Sequence, residues 1–510
     1  MLLWSISMLW AQGERRSSVK LQTAKYIIQE LYVDTVDEDK LTEAAIQGML
    51  KDLDPHSSYV TAEDVRRFNE SIQGNFEGIG IQYNMLTDTL YVSQLVVGGP
   101  AEKAGILAGD KVLMVNDTLI AGVKLRTEDI TRKIRGKKGS IVTLKVLRKG
   151  AKNLLTFQVV RDKIPLYSMD AAYMVNDSIG YIRVNNFSAT TGKEVKDALI
   201  NLKTKGMKHL IFDLQGNGGG VLASALSIGN ELLPEQELIV YTEGRKSPRR
   251  DFYSTGKTGA FREGKLVILV DDFTASASEI VAGAVQDWDR GVIIGRRTFG
   301  KGLVQRPFDL PDGSMIRLTV SRYYTPAGRF IQRPYESRES YAKDFIERYN
   351  RGEMSSADSI HLPDSIRYTT LKKGRTVYGG GGIMPDIFVP IDTTYFTPYY
   401  RYLRDAGIVN KLSMELVDKH RAEWRKKYPT FALFLEKFVV TEEMLHRMIT
   451  LGNSADVPYR KEEYEQSKTL LMHQIKGLIG RDLWGLSEYF QVTNVLNPTY
   501  LRAIEELQKP

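Results

Sequence analysis

One pattern occurs twice in the middle of this chain: a short apolar run, a turn of glycines or other small residues, then a stretch with helical spacing. HLIFDL (His209–Leu214) leads through GNGGG (Gly216–Gly220) into VLASALSIGNELL. KLVILVDD (Lys265–Asp272) leads through TASAS (Thr274–Ser278) into EIVAGAV. Continuous apolar runs of this length read as buried strands. Strands that alternate with helices imply an α/β layer. Each repeat also ends a strand in a turn that exposes backbone N–H groups at a helix start, where they can hold negative charge.

Ser276 stands at the second of these turns. Ile280, Val281 and Ala284 share one face of the helix that follows. Ser276-x-x-Glu279 fits a capping box, so a helix cap and a nucleophile are both open readings. Further along, Lys301 sits between Gly300 and Gly302. A serine hydroxyl needs a base to attack, and a desolvated lysine can be one, since burial brings its pKa down to about 7–8. Phe299 and Leu303 flank Lys301 and would help to desolvate it. The plain alternative is an exposed lysine in a hairpin turn.

Rival chemistries fit less well. GRRTFGKG (Gly295–Gly302) imitates a phosphate-binding loop, but glycine follows Lys301 where a Mg²⁺-binding hydroxyl is needed. The next residues, VQRPFDLPDGSMIRLTVSRYY, read as a β-hairpin about PDG rather than a helix. The chain has 6 histidines and none between His209 and His361, so a serine–histidine triad has only His209, at the start of a strand, to draw on. His56 lies alone in the loop DPHSSY, and His446 has no HExxH partner. Cysteine is absent, which removes thiol nucleophiles, disulfides and Cys-based zinc sites. Neither a metal nor a cofactor is expected.

A chain of 510 residues calls for two to four domains. Its net charge of +8 is modest at this size and does not call for nucleic acid. No run of 18 apolar residues occurs. MLLWSISMLWAQ breaks to GERRSS like the end of a secretory signal, without a basic leader and with Leu9 poorly suited to a cut near Ala11-Gln12. Residues 1–13 are therefore read as a signal-peptide remnant or anchor, and export to the periplasm or cell envelope is expected. Residues 14–72 form an N-terminal helical region, 73–163 a run of short alternating strands, 164–395 a mixed α/β region, and 396–510 a helical region of mixed charge.

The strand-rich stretch carries GIGI (Gly78, Ile79, Gly80, Ile81) and then PAEKAGILAGD, in the order that resembles a PDZ domain. Such a domain binds a peptide C-terminus as an added strand, with the carboxylate on backbone N–H groups of the glycine loop. Taken with GMLKDLDPHSSY, FEGIGIQ, TASASEIVAGAVQD, TFGKGLVQ and YYTPAGRFIQ, residues 25–390 resemble the carboxyl-terminal processing proteases, the S41 serine peptidases with an embedded PDZ domain. The resemblance implies an α/β crotonase/ClpP-like peptidase core, with an inserted β-rich PDZ domain and flanking helical segments. It implies Ser276 as nucleophile, Lys301 as general base and Gln305 as the residue orienting the lysine, with a bend at Gly300–Gly302. The oxyanion would rest on the N–H of Ala277 and of Gly219, with Gly220 the competing choice. The expected partners are protein or peptide substrates with apolar C-termini and no nucleic acid. Peripheral membrane association, and a homodimer or adaptor contact through the helical regions, stay open. One departure stands out: Gln215 and Gly218 replace an arginine and a proline of the family pattern. A non-catalytic PDZ scaffold with a degenerate core is the main alternative, and an acyl-CoA enzyme of crotonase type a further one.

Overall fold

The computed structural model describes residues 16–256 and 259–509, and of residues 2–15 the helical backbone alone. The signal remnant or anchor expected over 1–13 thus lies outside the fully described residues. The chain forms two compact units, one of Met1–Arg66, Val304–Ser321 and Pro334–Asp344, the other of Arg67–Leu303, Arg322–Arg333 and Phe345–Pro510.

In the first unit, Asp37 caps the helix Glu38–Lys51 by accepting from the Lys40 N–H at 3.1 Å. The loop that follows is tied by Asp54, a buried carboxylate that accepts from the N–H of His56 (2.8 Å) and Ser57 (2.9 Å) and from Ser57 Oγ (2.5 Å). These donors hold its pKa below the usual value against the opposing effect of burial. Arg338 closes the loop by donating to the carbonyls of Leu50, Asp54 and Ser57. His56 bonds Tyr341 Oη at 2.9 Å, a structural contact. Strand Ser58–Val60 pairs antiparallel with Met315–Arg317. The hairpin expected about PDG is present, Leu310 N–H reaching Ser314 O at 2.8 Å between strands Leu303–Asp309 and Met315–Tyr324. A strand therefore follows Lys301 where a phosphate-binding loop requires a helix.

The second unit is built on a six-stranded sheet in the order Met169–Met174, Ile179–Val184, His209–Asp213, Leu266–Val270, Val292–Gly295, Ile387–Phe388. The first pair is antiparallel and the rest are parallel. His209–Asp213 and Leu266–Val270 are neighbours, so both turns of the sequence repeat open at the same edge of the sheet. Of their helices, Leu222–Leu232 buries one face and Ala277–Asp287 is buried at every position.

A separate sheet carries the strand-rich region in the order Ile81–Met85, Leu90–Leu95, Lys111–Val115, Ile141–Leu147, Leu155–Val160, closed by helix Thr127–Ile134 around Leu90, Val92, Val112, Ile130, Val142 and Leu144. Beyond 396, helices pack around Trp424, Phe434, Leu471 and Ile475. The last helix, Pro498–Gln508, leaves that cluster and inserts Tyr500, Ala503 and Leu507 against Tyr181, Ile211 and Val267 of the six-stranded sheet. Among the described residues no helix is long and apolar enough to cross a membrane.

Candidate active site

Parallel strands ending side by side bring the glycine loop against the serine turn. Asn217 joins them: its carbonyl accepts from Ala275 N–H (2.9 Å) and Ser278 Oγ (3.1 Å), while its side chain donates to Val184 O at 2.8 Å. Asp271 draws in the start of the loop through Gly216 N–H at 2.9 Å. The two backbones approach so closely that a β-carbon on Gly219 would meet Ala275 O at 2.6 Å and Ala277 N at 2.8 Å. Gly219 also has φ +92°, so only glycine fits.

Ser276 itself has φ +56°, ψ −114° at the N-terminus of Ala277–Asp287, a strained conformation for a residue with a β-carbon. It is part-exposed in an otherwise buried turn. The Ala277 N–H beside it has no acceptor among the described residues. The Gly219 N–H donates to Asn217 Oδ1 at 2.8 Å, whereas the Gly220 N–H has no acceptor among the described residues. Of the two glycines considered from sequence, Gly220 thus carries the open donor in this state and Gly219 the close packing.

Glu279 fastens the serine turn to the lysine turn. Fully buried, its Oε2 accepts from the N–H of Ser276 (2.8 Å) and Lys301 (2.9 Å), and its Oε1 from Gly300 N–H (2.7 Å) and Thr298 Oγ1 (2.5 Å). Burial pushes its carboxyl up to about 7, opposed by those four donors. Glu279 therefore does more than complete a capping box. A second tie comes from Tyr323, whose hydroxyl faces Ser276 O (3.1 Å) and Lys301 O (2.5 Å) from a buried position. Gly300, at φ +84°, supplies the bend expected beside the lysine. The spacing marked Glu279 only as half of a capping box and assigned no role to Asn217 or Tyr323. Nothing in their spacing marks them, because most of their partners are backbone groups distant in sequence.

Gln305 belongs to the first unit, where its Nε2 donates to Thr319 Oγ1 at 3.2 Å, and Thr319 Oγ1 lies 3.1 Å from Asp54 Oδ1. His209 opens its strand at the edge opposite the serine turn, with Nδ1 accepting from Lys265 N–H at 3.2 Å. That position removes it as a base for Ser276. In the small sheet, Gly80 has φ +78°, and the carbonyls of Ile79 and Gly80 accept from Ala101 (2.8 Å) and Val96 (2.9 Å). The N–H groups of Ile79 and Gly80 have no acceptor among the described residues. Gly78 pairs with Asp162, and Ile81 begins the strand that follows.

Comparison with known proteins bears on the same regions. Residues 178–336 match Peptidase family S41, residues 91–148 a PDZ domain, and residues 9–64 the activating protease CtpB N-terminal domain. Residues 399–485 match a family of unknown function. The chain is 35% identical over 322 residues to a probable CtpA-like serine protease of Staphylococcus epidermidis, covering 62% of this chain and 64% of that protein. It is 35% identical over 327 residues to carboxy-terminal processing protease CtpB of Bacillus subtilis, covering 63% of this chain and 67% of that protein. A solved structure titled photosystem II D1 C-terminal processing protease is 26% identical, covering 73% of this chain and 93% of that chain with a TM-score of 0.37. The match to the Staphylococcus epidermidis protein thus spans a little under two thirds of its length. With its S41 region on an α/β sheet and its PDZ domain, the chain belongs to the carboxy-terminal processing proteases.

Proposed function

We propose that this protein is a serine endopeptidase that cleaves proteins near their C-termini by a Ser–Lys mechanism. The observation that carries the reading is the Glu279 carboxylate, which holds the Ser276 and Lys301 backbones on one oxygen. Ser276 Oγ attacks the scissile carbonyl while Lys301 Nζ takes its proton. The Ala277 N–H and the open Gly220 N–H receive the developing oxyanion, with Gly219 holding the loop against the serine turn. One such donor is worth about 10²–10³ in kcat. Lys301 then protonates the leaving amine, and water hydrolyses the acyl-enzyme with the lysine again accepting a proton. Gln305 orients the lysine in this reading.

The free N–H groups of Ile79 and Gly80, within Gly78–Ile81, suit the C-terminal carboxylate of a captured apolar peptide. Export to the periplasm or cell envelope is part of the same proposal, and the apolar segment MLLWSISMLW supports it.

The test is intact-mass analysis of an unstructured protein with an apolar C-terminus, incubated with wild type, Ser276→Ala and Lys301→Ala. Fragments from wild type alone are expected. Equal cleavage by Ser276→Ala would sink the assignment. No cleavage by any of the three, with C-terminal peptide binding retained, would favour the scaffold.

A further inference from the structure

Gln215 stands immediately before the glycine loop, two residues after the buried Asp213. The structure shows what surrounds that position. Arg183, from the neighbouring strand, donates through Nη2 to Gln215 O (2.8 Å) and through Nη1 to Asp213 Oδ2 (2.6 Å). Asp213 Oδ1 in turn accepts from the Gln215 N–H at 2.8 Å. A guanidinium is thus present, supplied from the side. The Gln215 side chain is held from elsewhere: its Oε1 accepts from Asn497 Nδ2 at 2.9 Å. Asn497 lies 282 residues away in the C-terminal helical region.

This contact is one of several from the same segment. Phe490 lies beneath Arg183, whose guanidinium carbon is 4.8 Å from the ring centroid. Asn494 Nδ2 donates to Tyr173 Oη at 2.9 Å, and Tyr500 packs edge-on against Tyr181 at 5.4 Å. Tyr181 Oη donates to Asp213 Oδ2 at 2.6 Å. The Gln215 side chain, Arg183 and Tyr181, three of the groups at the entry to the glycine loop, are therefore touched by the last helices. Asn497 does two jobs, because its Oδ1 also caps Pro498–Gln508 by accepting from the N–H of Thr499 (3.0 Å) and Tyr500 (3.3 Å).

We propose that the C-terminal segment Leu486–Gln508 is a positioning element for the oxyanion loop, with Asn497 and Gln215 as the positioning residues that transmit its docking. The inference rests on the Ser–Lys reading for its catalytic consequence and not for the contact itself. The segment acts through the Gly216–Gly220 backbone and touches no substrate.

Two variants test it in the full-length protein. Asn497→Ser keeps a good helix cap and is too short to reach Gln215. Gln215→Leu removes the same bond from the other side and leaves the cap intact. Each should lower kcat about tenfold or more while KM stays within about twofold, since a misplaced donor weakens transition-state contacts alone. The double variant should be little worse than either, as for two halves of one contact. Lys426→Ala, exposed in the C-terminal helical region outside this segment, serves as the control with unchanged kcat. Hydrogen exchange of the peptide covering 213–221 gives a readout that needs no turnover. Faster exchange there in both variants, with 498–508 unaltered, is the expected result. Unchanged exchange at 213–221, or a response in only one variant, overturns the proposal whether or not cleavage is seen. Should the wild type cleave nothing, the peptidase reading fails and the exchange result still decides this one.

Discussion

Glu279 is a buried carboxylate whose two oxygens accept four hydrogen bonds, an arrangement suited to its ionised form. Burial nevertheless raises its pKa from 4.5 to about 7. At about 1.36 kcal/mol per unit, that shift corresponds to about 3 kcal/mol. The sign follows from proton counting. Between these two values the folded chain holds more protons than the unfolded one, so this residue's contribution to stability falls as pH rises through the window. Glu279→Gln should lack that slope in a series of melting temperatures from pH 4.5 to 7. It should also be less stable at all pH values by about 1–3 kcal/mol, because its amide would turn N–H groups against backbone donors. A wild-type slope equal to that of the variant would show that Glu279 does not titrate in this range. From sequence this residue read first as half of a capping box, which was correct for Ser276 N–H and silent on the other three bonds. Those depend on where the lysine turn lands, and local spacing says nothing of that.

At the scale of elements, the twofold recurrence of strand, turn and helix was legible because burial on both faces imposes a visible apolar run. What the pattern did not show is that the two strands are neighbours, although this alone sets the glycine loop beside Ser276. Which of the Gly219 and Gly220 amides is bonded within the loop was closed to sequence for a similar reason: Asn217 folds back and takes the Gly219 N–H. Tyr323 was legible only as part of the string RYYTPAGRF. Its hydroxyl lies within bonding distance of one carbonyl in the serine turn and one in the lysine turn, so Tyr323→Phe removes the single proton they share. About 1–3 kcal/mol of stability should be lost. A fall in kcat of roughly tenfold with little change in KM is expected from the looser turns. Steady-state kinetics with a peptide substrate would check this; a change in KM alone would assign Tyr323 to substrate binding.

The whole molecule shows a further use of its helical region, which the sequence presented as helices of mixed charge open to contact with a partner. The PDZ domain is fixed to it by Lys111–Asp418 at 3.1 Å, by Lys149 Nζ on the carbonyls of Asp418 and Lys419 at 3.3 Å, and by Gln94 on Arg481 O. Asp418 thus accepts from two lysines, Lys111 on its carboxylate and Lys149 on its carbonyl. Asp418→Lys should release the domain, seen as a larger radius of gyration in solution scattering and faster exchange in 90–95. Peptide affinity should hold, because Gly78–Ile81 takes no part in these bonds. Unchanged scattering would mean that the apolar contacts suffice without the ion pair.

The backbone of Ser276 has one more consequence. A residue at φ +56° is strained by about 1–3 kcal/mol unless it is glycine, and glycine is also an acceptable helix cap. Ser276→Gly should therefore melt higher than the wild type while cleaving nothing; a lower melting temperature would show that the side chain stabilises the turn more than its strain costs. If the gain is found, mutational drift alone would carry this position toward an inert, sturdier descendant. A serine there would then mark a chain still selected for what it does rather than for how well it folds.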